Sequence, residues 1–280
     1  MISAVRLIKI HPLFWLVCAL SLFTSYFYEM LMLFSIVFLH ELGHYVAARS
    51  FQWRIEHIKI LPFGGVMETK EHGSRPAAEE ALVAIAGPAV HVPLCLLSFL
   101  LLQTPWWSNA DHESFFYCNL LLFCFNLLPV WPLDGGKLLL CLYSLMLPFK
   151  QAQKYSWMTS FLLLQTGALF LIIFYPFHLQ AWLLYGFFLL AHRTEWKQMP
   201  YSYFRFLLAR TELARLPGKS YKESISWHAR PVDAAKKLRK HGEITFHIIE
   251  NGQILPESYI LEAITKNNQG MLPLREWCLK

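Results

Sequence analysis

A chain of 280 residues with 55% hydrophobic and only 16% charged residues is too apolar for an ordinary soluble domain, in which about a quarter of the residues carry charge. The formal charge of +6 arises entirely from Arg193 onward, so the basic balance belongs to one tail and argues against a nucleic-acid surface. Six cysteines (Cys18, Cys95, Cys118, Cys124, Cys141 and Cys278) form no C-x-x-C pair, which argues against a disulfide framework or a cysteine metal site.

A bilayer core takes about 20 apolar residues per helix, and six runs approach this. They are Pro12 to Tyr28, Met30 to Arg49, Ala77 to Gln103, a long run Phe115 to Leu147 broken by "NLLPVWPLDGGK", Trp157 to Tyr175, and the short Leu179 to Ala191. Arg6 and Lys9 before the first run resemble a signal peptide, but no small-x-small cleavage site follows, so an uncleaved first span is expected. Lys and Arg collect before the first span, between Arg49 and Arg75, at Lys150 and Lys154, and in the tail. "TPWWSNADHES" and "YPFHL", on the other side, have none. By the positive-inside rule both termini face the cytoplasm of this multi-pass protein.

Between spans two and three, "WRIEHIKILPFGGVMETKEH" alternates in polarity around a Gly-Gly reversal and predicts a membrane-face β-hairpin. Met199 to Arg215 predicts a helix of mixed polarity. The rest has a β-α-β-β-α rhythm: Pro231 opens a helix, "TFHIIE" is a strand, and Asn251-Gly252 is a hairpin turn. The expected fold is therefore a polytopic α-helical membrane protein of about six spans with a β-hairpin, plus a small C-terminal α/β domain. The expected boundaries are 1–195 for the membrane domain, 196–220 for a linker and 221–280 for the C-terminal domain.

The second span carries "HELGH". His40 and His44 lie one helical turn apart on one face, a spacing that lets two imidazoles hold one zinc ion, with Glu41 beside them to act on water. An ionisable group at mid-span costs roughly 2.5–3.5 kcal/mol unless it is neutralised, and a metal ion would remove that cost. Gly43 would allow another backbone to approach this face. A catalytic zinc site needs a third protein ligand. Asp134, where the chain re-enters helix after Pro129 and Pro132, is the leading candidate; its bland alternative is an N-cap, and one residue can serve as both. His91 inside span three is its rival. His57, His72, His112 and His178 fall outside the spans.

"HELGH", "AGPAVH" and "NLLPVWPLDGG" together resemble the site-2 protease family of intramembrane zinc metalloproteases. "KIHPLFWL" and "ILPFGGVMETKEHGSRP" resemble its sporulation branch, which processes the precursor of sigma factor K. The resemblance implies that His40, His44 and Asp134 ligate zinc and that Glu41 is the catalytic glutamate. It implies that Asn126 orients substrate, that Pro129 and Pro132 shape the cleft, and that the hairpin around Phe63, Gly64 and Gly65 guides the substrate. The implied partners are a sigma-factor precursor as substrate, small inhibitory membrane proteins, the lipid bilayer and a second copy of the chain in a homo-oligomer. The implied location is the membrane around the forespore, facing the mother cell. His91 departs from the family's Asn-type residue, and its role stays open between a bond to the zinc region and a core histidine. The C-terminal domain resembles a cystathionine-β-synthase (CBS) module, which implies regulation and an adenine nucleotide such as ATP as a further ligand. The other function classes are a metal-binding membrane transporter, suggested by the broken fourth span, and a catalytically inactive substrate-binding relative. A transporter has no use for Glu41 beside two ligands, and an inactive relative would not keep all four residues.

Overall fold

A computed structural model describes residues 8–10, 19, 21–23, 27–61, 64–69, 71, 73–212, 220–265 and 270–278. For residues 8–10, 56–61, 64–68, 212, 277 and 278 it describes the backbone alone. Its Cα packing separates into two compact units.

The first unit contains β1 (Ile8–Ile10), α1 (Phe27–Ser50), β2 (Ile55–Leu61), β3 (Gly64–Thr69), α2 (Ala77–Leu101) from Ala81 onward, and α3 (Asn109–Asn126). On α1 the buried residues are Met32, Ile36, His40, His44 and Ala48, a single stripe at every fourth position. Leu31, Leu33, Phe38, Leu42 and Val46 are exposed, as side chains facing acyl chains would be. The helix stops after Ser50, where Gln52 takes a left-handed φ of 59° and the Trp53 amide donates to the Ala48 carbonyl at 2.9 Å. Trp53 then packs with Ala48 and Val83. The predicted hairpin is present: β2 and β3 pair antiparallel, Ile58 opposite Met67 and Ile60 opposite Gly65. Its turn, with Phe63, lies outside the described residues. The unexpected element is β1, which pairs parallel with β2 (Ile8 opposite Ile58) and makes β2 the central strand of three.

Ser108 caps α3, its hydroxyl accepting from the Asp111 amide in a capping box. The long fourth run is two helices, α3 and α4 (Asp134–Met146), separated at the proline-rich break. Three described helices, α1, α2 and α5 (Phe149–Phe174), are long and apolar enough to cross a membrane, with mean hydropathy of 1.5, 2.0 and 1.8. The 13 residues of α4 fall short of the roughly 20 a crossing needs, and most of the first predicted run lies outside the described residues.

The second unit holds α5, α6 (Leu179–Glu212) and the C-terminal elements: β4 (Tyr221–Ile225), α7 (Pro231–Ala235), β5 (Ile244–Ile248), β6 (Ile254–Pro256), α8 (Glu257–Thr265) and α9 (Leu274–Cys278). Sheet β4-β5-β6 has β4 parallel and β6 antiparallel to β5, as the predicted rhythm requires. Pro231 starts α7 at its first turn, and Gly252 turns the β5–β6 hairpin at φ 67°. The predicted span from Leu179 and the predicted helix from Met199 are one continuous helix through Pro200. Proline removes one backbone donor, but Phe206 and Leu207 beyond it enter the same core as Phe149, Ile244, Phe246 and Ile260, and that burial holds the last turns helical.

Candidate metal centre

Each of the three donor side chains is brought into place by a local rule of the backbone. The every-fourth-residue stripe of α1 turns His40 and His44 to the protein interior, each 4% exposed. Two glycines then make room. A Cβ on Gly43 would lie 2.6 Å from the Ala86 carbonyl oxygen, so α1 and α2 cross at backbone contact. A Cβ on Gly87 would lie 2.2 Å from His44 Nε2, so the glycine of "AGP" vacates the volume the imidazole occupies. Asp134 opens α4, where the helix dipole favours a carboxylate. Beside it, a Cβ on Gly135 would meet the Leu127 and Leu128 carbonyl oxygens at 2.2 and 2.3 Å. Only glycine permits the tight return that aims Asp134 inward.

His40 Nε2, His44 Nε2 and Asp134 Oδ2 converge on one point, with Asp134 Oδ2 3.1 Å from His40 and 3.0 Å from His44, and the two nitrogens 3.2 Å apart. His44 Nδ1 lies 2.7 Å from the Val83 carbonyl, an acceptor, so it carries the proton and leaves the Nε2 lone pair facing inward. His40 Nδ1 lies 3.1 Å from His91 Nε2. Two imidazole nitrogens and a carboxylate oxygen within 4.8 Å form a set suited to a metal ion. Nitrogen and oxygen donors in this number fit zinc, which takes three protein ligands in catalytic sites.

The other predicted site residues are placed as follows. Glu41 is half-buried, one residue past His40 on α1. Asn126 is the last residue of α3 and half-buried. In the connection to α4, Pro129 is half-buried, and Pro132, preceded by a cis peptide bond, is exposed. Gly64 and Gly65 begin β3, paired with Leu61 and Ile60, and Phe63 lies outside the described residues. Sequence reasoning missed Asn119, which is 0% exposed in the middle of α3. Its signal was a lone amide within an apolar run.

The comparisons with known proteins agree with this geometry. The model for peptidase family M50 matches residues 28–108 and 109–167. Stage IV sporulation protein FB of Bacillus subtilis is 42% identical, over 72% of this chain and 70% of that protein. A zinc metalloprotease of Methanocaldococcus jannaschii is 33% identical, over 48% of this chain and 36% of that protein. Among solved structures, the site-2 protease from Methanocaldococcus jannaschii superimposes with a TM-score of 0.53 at 26% identity, over 70% of this chain and 93% of that one. The chain belongs to peptidase family M50 and is a membrane-embedded metalloprotease.

Proposed function

We propose that His40, His44 and Asp134 hold the zinc ion and that Glu41 is the general base and acid in hydrolysis of a peptide bond at the membrane. The observation that carries this is the convergence of three donor atoms within 3.2 Å, two of them on the membrane-length helix α1 and the third at the start of α4, with Glu41 next to the first. Zinc bound there supplies a Lewis acid that polarises the scissile carbonyl and makes water acidic enough to attack near neutral pH. Glu41 takes the proton of the attacking water and returns it to the leaving amine. The Asn126 amide donates to the carbonyl oxygen as negative charge develops there, and Pro129 and Pro132 shape the cleft.

The substrate is presented extended, because a helix hides its carbonyls. Addition of a substrate strand to β2 at Ile58 to Leu61, an attractive idea for an isolated hairpin, is blocked, since β1 and β3 flank β2 on both sides. The outer edge of β3, beyond Gly64 and Gly65, takes that role. Adjacent strand amides point to opposite edges, so proline placed singly at Val66 and Met67 will at one of the two cut turnover while leaving bound zinc unchanged. Normal turnover in both variants rejects the edge.

Similarity to a stage IV sporulation protein supports a sigma-factor precursor as substrate, small inhibitory membrane proteins as partners, and the membrane around the forespore, facing the mother cell, as location. Six spans with both termini cytoplasmic accord with the charge distribution, and reporter fusions at each loop test them. We assign residues 1–195 to catalysis, 196–220 to connection and 221–280 to a CBS-like regulatory domain that binds an adenine nucleotide and pairs in a homo-oligomer. Titration with ATP and mass measurement in detergent test these two points. The decisive experiment co-expresses the chain with a sigma-factor precursor. Glu41→Gln will lose cleavage and keep zinc, whereas equal cleavage by both forms overturns the role of Glu41.

A further inference from the structure

His40 belongs to a hydrogen-bond chain that runs away from the metal point. Its Nδ1 lies 3.1 Å from His91 Nε2, His91 Nδ1 lies 2.9 Å from Asn119 Oδ1, and Asn119 Nδ2 donates to the Phe115 carbonyl at 2.8 Å. His91 is 2% and Asn119 0% exposed, so water does not substitute for any link. The direction of every proton follows from the last bond. A backbone carbonyl only accepts, so the Asn119 amide nitrogen must face Phe115 and its oxygen must face His91. That oxygen accepts, so His91 carries its proton on Nδ1, and in the neutral ring Nε2 is left as an acceptor. His40 must then donate from Nδ1, and its Nε2 lone pair points at His44 and Asp134.

From this we infer that His91 and Asn119 are positioning residues for the metal centre, fixing the tautomer and ring plane of His40 through a proton chain anchored on the α3 backbone. The inference rests on the reading of His40 as a metal ligand. It gives His44 and His40 parallel supports: His44 is held directly by the Val83 carbonyl, His40 through two side chains. The alternative role for His91 is packing, since its ring also meets Phe123 edge-on at 6.3 Å and lines an apolar cavity of about 380 Å³ with Leu96, Phe99 and Phe116.

The two roles make opposite demands on substitutions. Phenylalanine fills the ring volume and offers no acceptor, whereas glutamine offers an amide oxygen near the Nε2 position and packs less well. The test measures zinc affinity of the purified full chain by competition with a chromogenic chelator, and the visible absorption of the cobalt-loaded form. His91→Phe will weaken zinc binding about 10–100-fold and change the cobalt spectrum, the range found for partners of metal-bound histidines. His91→Gln will bind within about threefold of the parent chain, and Asn119→Leu, close in shape to the amide, will weaken binding by an intermediate factor. Parent-like affinity and spectrum in His91→Phe, or a loss in His91→Gln equal to that in a folded His91→Phe, overturns the inference. If His91→Phe does not fold, Asn119→Leu decides: unchanged affinity there overturns it. Failure of the parent chain itself to bind zinc overturns the ligand assignment, a result distinct from failure of the support.

Discussion

Two regions of the molecule bury charged or chargeable side chains, and they resolve the problem in opposite ways. In the second unit the charge is answered within the protein. Glu80 accepts from the Gly73 amide at 2.8 Å with one oxygen and from Lys240 at 2.6 Å with the other, and the Lys240 side chain, only 1% exposed, also lies over the Phe149 ring. Arg210 is held by both oxygens of Glu257 at 2.8 Å and by the carbonyls of Arg239 and Gly242. At the candidate metal centre His40 Nε2, His44 Nε2 and Asp134 Oδ2 face one point, and the Val83 carbonyl accepts a hydrogen bond from the outward nitrogen of His44. Those three atoms lie 3.0–3.2 Å apart, a spacing that a cation among them would bridge. Complete ion pairs hold a fold together, whereas three donor atoms turned to one point suit a metal ion.

The sharpest way to break the contrast is to spoil the donor set. Gly87→Ala puts a methyl group into the volume of the His44 ring, and Asp134→Ala removes the only anionic donor of the three. Both variants will lose bound zinc, counted per chain after dialysis, and with it all precursor cleavage. Stripping the parent chain with a chelator will give the same loss, and added zinc will restore activity to the parent and not to Gly87→Ala. Retained zinc in Gly87→Ala would mean that the ring can move aside without leaving the site.

Next in size is damage to a complete pair. Lys240→Met leaves the Glu80 carboxylate buried with one amide donor, a change that costs about 3–5 kcal/mol when a buried pair loses one partner. The expected result is a lower denaturation midpoint of the C-terminal core, followed by tryptophan fluorescence, at unchanged zinc per chain. Adding Glu80→Met to it will recover most of the loss, since two apolar groups of similar size need no counter-charge. An equal fall in zinc content and stability would show that the two regions are not independent.

The same contrast explains how much was legible beforehand. His40, Glu41 and His44 were readable because one turn of helix gives them fixed geometry, and the membrane makes such polarity costly unless it has a use. Asp134 lies 94 residues from His40, so only the need for a third ligand and the family resemblance linked them. The reason for Gly87 and Gly135 is a close approach of other atoms, which no single-chain pattern encodes. His91 to Asn119 spans 28 residues across two helices, and its meaning exists only after α2 and α3 pack. Strand β1 is three residues long and depends on a parallel partner about 50 residues away, so local propensity carried no signal for it. The C-terminal rhythm, by contrast, was local in every part: a proline at N1, an Asn-Gly turn and a short alternating strand.

The smallest expected effect concerns exposed carboxylates of the C-terminal domain. The Ser226 hydroxyl and then the Trp227 amide donate to Glu250 and hold its carboxyl below the usual carboxylate range; the Lys236 ammonium and Arg230 guanidinium do the same for Asp233. A carboxylate whose folded pKa lies below its unfolded value binds fewer protons in the native state. Its stabilisation is therefore complete above the ordinary carboxylate pKa of about 4 and fades as pH falls through the lower, folded value. Unlike the Glu80 pair, both groups face solvent, which screens them, so the effect is a slight drop in the denaturation midpoint between neutral and acid pH. Glu250→Gln will flatten that part of the pH profile and leave the midpoint at neutral pH slightly lower. A profile as steep as that of the parent would place the acid sensitivity of this domain in other groups and remove Ser226 and Trp227 from its account.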